Sequence, residues 1–185
     1  MTQEEFIEIL KKKKYSYEIV GDLIIVTRKG DLIALTSLPS GVVFKNRGNV
    51  WLRALTSLPS GVEFENEGDV ALPALTSLPP GMEFENGGDV GLHALTSLPP
   101  GVKFENGGHV ILRALTSISP GVVFKNGGDV WLEPLTSLPP GVVFENGGSV
   151  YLALIGGKFS DWSGNIKGIG SKRLLNVMIK RGIFL

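Results

Sequence analysis

The strongest constraint on this chain is a period. Aligned on Thr-Ser, residues 36–155 divide into six units of 20 residues: 36–55, 56–75, 76–95, 96–115, 116–135 and 136–155. Their shared pattern is T-S-L-P-P-G-V-x-F-x-N-G-G-x-V-x-L-x-A-L. A fixed period in this range marks a solenoid, because one such unit cannot bury its apolar face alone and does so only by stacking on its neighbours.

Inside each unit the spacing is two-fold. Val102, Phe104 and Asn106 alternate with Lys103 and Glu105, and Val110, Leu112 and Ala114 alternate with Ile111 and Arg113. Alternation of this kind predicts a strand with one buried face, and no apolar set recurs at helical spacing within a unit. Asn-Gly-Gly between the two runs suits a sharp corner. The second corner is Leu-Thr-Ser-Leu-Pro-Pro-Gly, where proline has no N–H to give to a ladder. The expected fold class is therefore mainly β: a right- or left-handed β-solenoid of six coils stacked about 4.8 Å apart, roughly 29 Å long at that spacing. Leu98, Val102, Phe104, Val110, Leu112 and Leu115 point inward, and Phe64, Phe84 and Phe104 form one interior column. Asn46, Asn66, Asn86, Asn106, Asn126 and Asn146 share one position in every coil. That regularity predicts a structural asparagine ladder along the stack rather than a ligand-binding row.

A solenoid leaves raw ends that need covering. Residues 1–35 read as an N-terminal cap. Thr2 with Glu5 forms a capping box, Phe6, Ile7 and Leu10 give the helix an apolar stripe, and Lys11 to Lys14 suit its C-terminal end. "YSYEIVGDLIIVT" then reads as a hairpin turning at Gly21-Asp22. Residues 156–185 read as a C-terminal cap with a helix starting at Ser171 and burying Leu174, Leu175, Met178 and Ile179, with Gly182 as its stop. Caps and coils are expected to form one structural domain.

The Leu-Thr-Ser-Leu-Pro turn and the Val-x-Leu strand, carried over residues 36–155, resemble the short bacterial and phage type of leucine-rich repeat. The resemblance implies a solenoid whose strand-borne variable residues bind partners, hence a recognition scaffold. The additional "GVxFxNGG" segment favours a flatter two-sheet coil over a curved horseshoe.

Recognition, if present, falls where the letters change. On the Val-x-Leu strand one outward column reads Trp51, Ala71, Gly91, Ile111, Trp131, Tyr151, and the next reads Arg53, Pro73, His93, Arg113, Glu133, Ala153. Exposed Trp and Arg are enriched at binding hot spots, which makes Trp51, Arg53, His93, Ile111, Arg113, Trp131 and Tyr151 partner-binding candidates. Aromatics at both ends with Ala71 and Gly91 between them predict a shallow groove. On the other strand the outward columns hold Glu63, Glu65, Glu83 and Glu85, a second candidate patch. Charge by unit is uneven: +3 in the first (Lys45, Arg47, Arg53), −4 in the second (Glu63, Glu65, Glu67, Asp69) and −3 in the third (Glu83, Glu85, Asp89). Residues 156–185 carry +5 (Lys158, Lys167, Lys172, Arg173, Lys180 and Arg181, less Asp161). Stacked carboxylates about 4.8 Å apart repel by ~0.9 kcal/mol even in water, a cost that a basic partner, or salt, would relieve.

The remaining features narrow the chemistry. The 18 basic and 18 acidic side chains balance, so bulk charge gives no reason to expect a nucleic-acid or membrane partner. With no cysteine, thiolate catalysis and cysteine-ligated zinc are excluded. "MTQEEFIEILKKKK" has no signal-peptide hydrophobic region, and a cytoplasmic protein is expected. His93 and His109 occupy different repeat positions, and no nucleophile–histidine–carboxylate set or phosphate loop is visible. "GGDV" is superficially like calcium-binding β-roll repeats, but the period differs. "GNIKGIG" (164–170) is glycine-rich without a clear strand before it. The expectation is a non-enzymatic binder without cofactor whose partner is a protein, with a basic surface if the acidic band is used. In a phage it would act by occluding a host protein. The rival readings are a nucleotide-like ligand held by Trp51, Arg53, Arg113 and Trp131, and a bare structural spacer. Association of copies by edge or end is left open.

Overall fold

A computed structural model describes residues 1–27, 32–135 and 137–152, and the backbone of 166–167. The expected C-terminal helix, and Ala153, lie outside the described residues. The chain begins with helix α1 (Gln3–Lys12). Thr2 and Glu5 form the reciprocal capping box, so two otherwise orphaned N–H groups are satisfied. Phe6 and Leu10 of α1 are fully buried against the end of the core, as a cap requires. The hairpin follows as β1 (Tyr17–Val20) and β2 (Leu23–Val26), antiparallel, with Val20 opposite Leu23 across Gly21-Asp22. β2 then pairs in parallel with β3 (Val42–Phe44) of the first coil, which joins the cap to the solenoid without a break in the ladder.

The coils stack with equivalent residues in register. One sheet of nine strands, sheet A, runs from β1 through the Phe-bearing strand of every coil to Ile166–Lys167. A second sheet of six strands, sheet B, collects the Val-x-Leu strands. Val110 pairs with Val90 below and Val130 above, and Phe104 with Phe84 and Phe124. The glycine-rich "GNIKGIG" segment thus contains a strand, pairing Ile166 with Val142 and Lys167 with Val143. The structure adds a third side to the two-sheet coil. Ser97–Leu98 pairs with Ser117–Ile118, Ser57 bridges to Ser77, and the Thr76 and Thr116 hydroxyls donate to the carbonyls of Thr56 and Thr96. The Thr-Ser-Leu step precedes the prolines, so its backbone remains free to build this short ladder.

The interior is a set of columns. Phe44, Phe64, Phe84, Phe104, Phe124 and Phe144 stack with ring centroids 4.9–5.6 Å apart and planes within 7° of parallel. All six are at most 1 % exposed, as are Val110, Leu112 and Leu115. The asparagines are buried too, but they do not bond amide to amide. From the second coil on, each Nδ2 bridges two corners: Asn86 donates to the Gly68 carbonyl of the coil below and to Gly88 of its own coil, at 3.0 and 3.1 Å. The Oδ1 atoms of Asn46, Asn66, Asn86, Asn106 and Asn126 are buried without a hydrogen-bond partner among the described residues.

A second polar ladder runs beside the asparagines. Asn49, Asp69, Asp89, His109 and Asp129 each accept from the backbone N–H of the equivalent residue one coil on. Asp89 N donates to Asp69 at 2.9 Å, His109 N to Asp89 at 2.7 Å, and Asp129 N to His109 Nδ1 at 2.8 Å. The His109 Nδ1 thus takes the acceptor place that a carboxylate or amide oxygen holds on the other rungs. Asp89→Ala removes one such acceptor from the middle of the array. Its expected cost is about 1 kcal/mol, read as a lower urea midpoint with an unchanged slope.

The Gly at the first position after each asparagine is set by proximity. A Cβ on Gly87, Gly107, Gly127 or Gly147 would lie 2.1–2.3 Å from the carbonyl oxygen one coil below. The first two coils carry Arg47 and Glu67 there. The Gly-to-Gly bond that joins the later corners (Gly88, Gly108, Gly128 and Gly148 as donors) is absent between Gly68 and Gly48, so that corner is built differently.

Candidate recognition surfaces

With the core filled and its columns closed, the residues that vary from coil to coil stand in the outward columns. On sheet B they divide into two ends. At the N-terminal end Trp51 is 41 % exposed, and the Arg53 guanidinium sits 5.3 Å above its ring. At the other end Trp131 stacks on Tyr151 at 5.8 Å, and His109 leans against Trp131 at 5.0 Å. Ile111 is half-buried on the rung between; His93 and Arg113 are exposed. The expected groove floor at Gly91 is covered. His93 lies over it, with Cε1 3.1 Å from where a Cβ would be. Trp51 and Trp131 are four rungs apart, roughly 19 Å at sheet spacing. Trp51, Arg53, Arg113 and Trp131 are therefore spread along the face rather than gathered around one small molecule.

Sheet A brings its candidates together. A cleft of about 360 Å³ opens on its outer face between the second and third coils. Its walls include Glu63, Glu65, Glu83 and Glu85, with Pro79, Pro80 and Met82 at one end. The cleft coincides with an opening in the ladder. Lys103 N donates to Met82, Val123 N to Val102 and Val143 N to Val122, at 2.9–3.0 Å, but the equivalent bond from Glu83 to Val62 is missing. Between these two strands the register retains only Phe64 opposite Phe84, whereas the next pair also matches Lys103 with Glu83. Two local differences act at this rung. Glu63 and Glu83 would face each other as like charges on neighbouring strands. Met82 also replaces the valine that stands at this position in the other five coils.

The four carboxylates are not equivalent. Glu65 pairs with Lys45 and Glu83 with Lys103, both at 2.6 Å. Glu63 and Glu85 have no ion-pair partner among the described residues. The hydrogen bond that the Lys103 ammonium donates to Glu83, reinforced by the carboxylate's charge, holds Lys103 above the ordinary lysine range, and Glu65 does the same to Lys45. A raised lysine value contributes fully below the unfolded value and is lost only as pH climbs through the folded one. Both lysines beside the cleft therefore keep their charge across neutral pH.

Reasoning from the sequence placed the four glutamates on one face, but it missed the opened ladder. Methionine at a valine position beside two consecutive glutamate rungs was the available signal. The aspartate ladder was equally visible as a column of hydrogen-bond acceptors running from Asn49 to Asp129. Among the described residues no group of three or more His, Asp or Glu side chains is arranged to hold a metal ion, and no helix is long and apolar enough to cross a membrane. Compared with known proteins, the chain matches no family model, no curated protein and no solved structure.

Proposed function

We propose that this protein is a non-enzymatic recognition scaffold that binds another protein, and that the acidic cleft on sheet A receives a basic segment of it. The observation that carries this reading is the cleft itself. It is a depression of about 360 Å³ at a sheet A rung where the ladder opens, walled by four glutamates of which Glu63 and Glu85 have no ion pair among the described residues. A lysine or arginine side chain entering there would relieve like-charge repulsion already present in the free protein, and complementary charge speeds encounter and selects partners. Trp51 with Arg53, and Trp131 with Tyr151, offer aromatic anchors on the opposite sheet for a partner large enough to wrap the coil.

The Leu-Thr-Ser-Leu-Pro turn and Val-x-Leu strand support the same reading through their resemblance to bacterial and phage leucine-rich repeats, which present binding residues on strands. In that setting the protein acts in the cytoplasm, and a phage-encoded copy would inhibit a host protein by covering it. The nucleotide reading gains nothing from the spread of Trp51, Arg53, Arg113 and Trp131, and the spacer reading leaves the open cleft without a role.

The test is affinity capture from the native host with the wild type and with Glu63→Lys/Glu85→Lys, neither of which removes a buried group or an ion pair. One retained protein, lost at least tenfold in the double variant while the melting temperature holds, is expected. Capture that survives the charge reversal, or that is lost only in Trp51→Ala/Trp131→Ala, would remove the cleft from the account.

A further inference from the structure

We propose that two copies of this chain associate through β1, which pairs with itself as an antiparallel edge strand. The backbone geometry defines a free edge. Ile24 N donates to the Gly41 carbonyl at 2.8 Å and Lys45 N to the Val26 carbonyl at 2.9 Å, so Ile24 and Val26 face β3. Leu23 and Ile25 then face β1, and their register partners Val20 and Glu18 bond to β2, as does Ser16, which accepts from Thr27 N at 3.0 Å. The N–H and C=O groups of Tyr17 and Ile19 are left pointing away from the sheet. No hydrogen bond to any of these four groups occurs among the described residues.

The edge is also the apolar end of the surface. Of the five large exposed hydrophobic residues among those described, three belong to this hairpin: Ile19 at 58 %, Val20 at 56 % and Leu23 at 38 % exposure. Tyr17–Val20 has no proline, no lysine and no bulge, and Glu18 is its single charge, so what guards this edge is its shortness and one carboxylate.

The sequence of the edge selects a second copy as its occupant. A two-fold pairing centred on Ile19 sets Ile19 against Ile19, Glu18 against Val20 and Ser16 against Asp22. It engages the outward N–H and C=O of Ile19 on both chains. It also directs Asp22 of each copy toward the end of the other's strand that follows Lys11 to Lys14, so opposite charges approach at both ends. A two-fold centre on Glu18 sets two carboxylates against each other at the closer, non-hydrogen-bonded spacing and is disfavoured, and one on Tyr17 leaves Val20 and Leu23, two of the exposed apolar residues, outside the pairing. The same contact joins two nine-stranded sheets and leaves the acidic cleft and sheet B open on both copies.

Sedimentation across a concentration series tests this with the full chain. The wild type is expected to pass from monomer to dimer mass. Ile19→Pro removes only an outward donor, so it should remain folded by circular dichroism and stay monomeric. Ile19→Lys, which sets two ammonium groups against each other across the two-fold axis, should do the same. The chain has no cysteine, so Ile19→Cys gives a single thiol. A hydrogen-bonded antiparallel pair holds Cα atoms about 5.5 Å apart, within disulfide range, and Ile19→Cys should therefore oxidise to a covalent dimer faster than Glu18→Cys. A wild type that stays monomeric, a dimer that persists in folded Ile19→Pro or Ile19→Lys, or equal cross-linking from positions 18 and 19 would overturn the proposal.

Discussion

Phe104→Ala is expected to destabilise the protein by about 3–5 kcal/mol, the range for truncating a fully buried aromatic. Phe104 is completely buried between Phe84 and Phe124, with centroids at 5.2 and 5.1 Å. Each coil touches only its neighbours, so no other element can move in to refill the space. Both flanking rings lose a stacked face, and the break falls near the middle of the array, where it separates two short stacks that are each poorly stable alone. Equilibrium urea unfolding measures the loss. A change below about 1 kcal/mol would mean that the column relaxes as a globular core can, against the rigidity assigned to it here.

Gly107→Ala is the second large effect, and it separates two uses of glycine in one repeat. The added Cβ would meet the Gly87 carbonyl oxygen at 2.3 Å, and the obstacle is backbone held in the ladder rather than a movable side chain. Overpacking of that kind costs about 1–3 kcal/mol or more, because the coils must separate to admit the methyl group. Gly121 differs. Its φ is +79° and nothing stands within 4 Å of an added Cβ, so Gly121→Ala carries only the left-handed backbone penalty of about 1–2 kcal/mol. Asparagine tolerates that conformation, so Gly121→Asn should recover part of the loss, whereas Gly107→Asn should be worse than Gly107→Ala. Paired thermal melts of the four variants decide the matter. Recovery at both positions would mean that backbone conformation, not the close approach of coils, fixes the Asn-Gly-Gly corner.

The parts of this fold legible in the sequence are those that depend on which residues recur. The spacing of Phe64, Phe84 and Phe104 fixes a column, the alternation around Val110 and Leu112 fixes a strand, and Thr2 with Glu5 fixes the start of α1. The parts that were not legible depend on how one backbone is displaced relative to the next. Thr-Ser-Leu reads as a corner, because the prolines after it suppress strand propensity, yet the step itself stacks well enough to form ladder bonds. Asparagines in register suggest amide-to-amide bonding; the offset between coils instead brings Nδ2 of Asn66, Asn86 and Asn126 between two glycine carbonyls. Sequence also placed Glu63, Glu65, Glu83 and Glu85 on one face, but whether two glutamate rungs close or part depends on a balance among ladder bonds, charge and the bulk of Met82. The free edge at Tyr17 and Ile19 was hidden for the same reason: which N–H groups face outward follows from the phase between β2 and β3.

The central claim is that equivalent residues of successive coils are interchangeable neighbours. Removing one whole coil, residues 96–115, tests it directly, because Phe84 would then stack on Phe124 and Asn86 on Asn126 with every column intact. The account predicts that this variant keeps its β circular dichroism and a single cooperative melting transition at a lower midpoint, while removal of half a coil, residues 96–105, abolishes both. Equal loss from the two deletions, or equal tolerance of them, would contradict it.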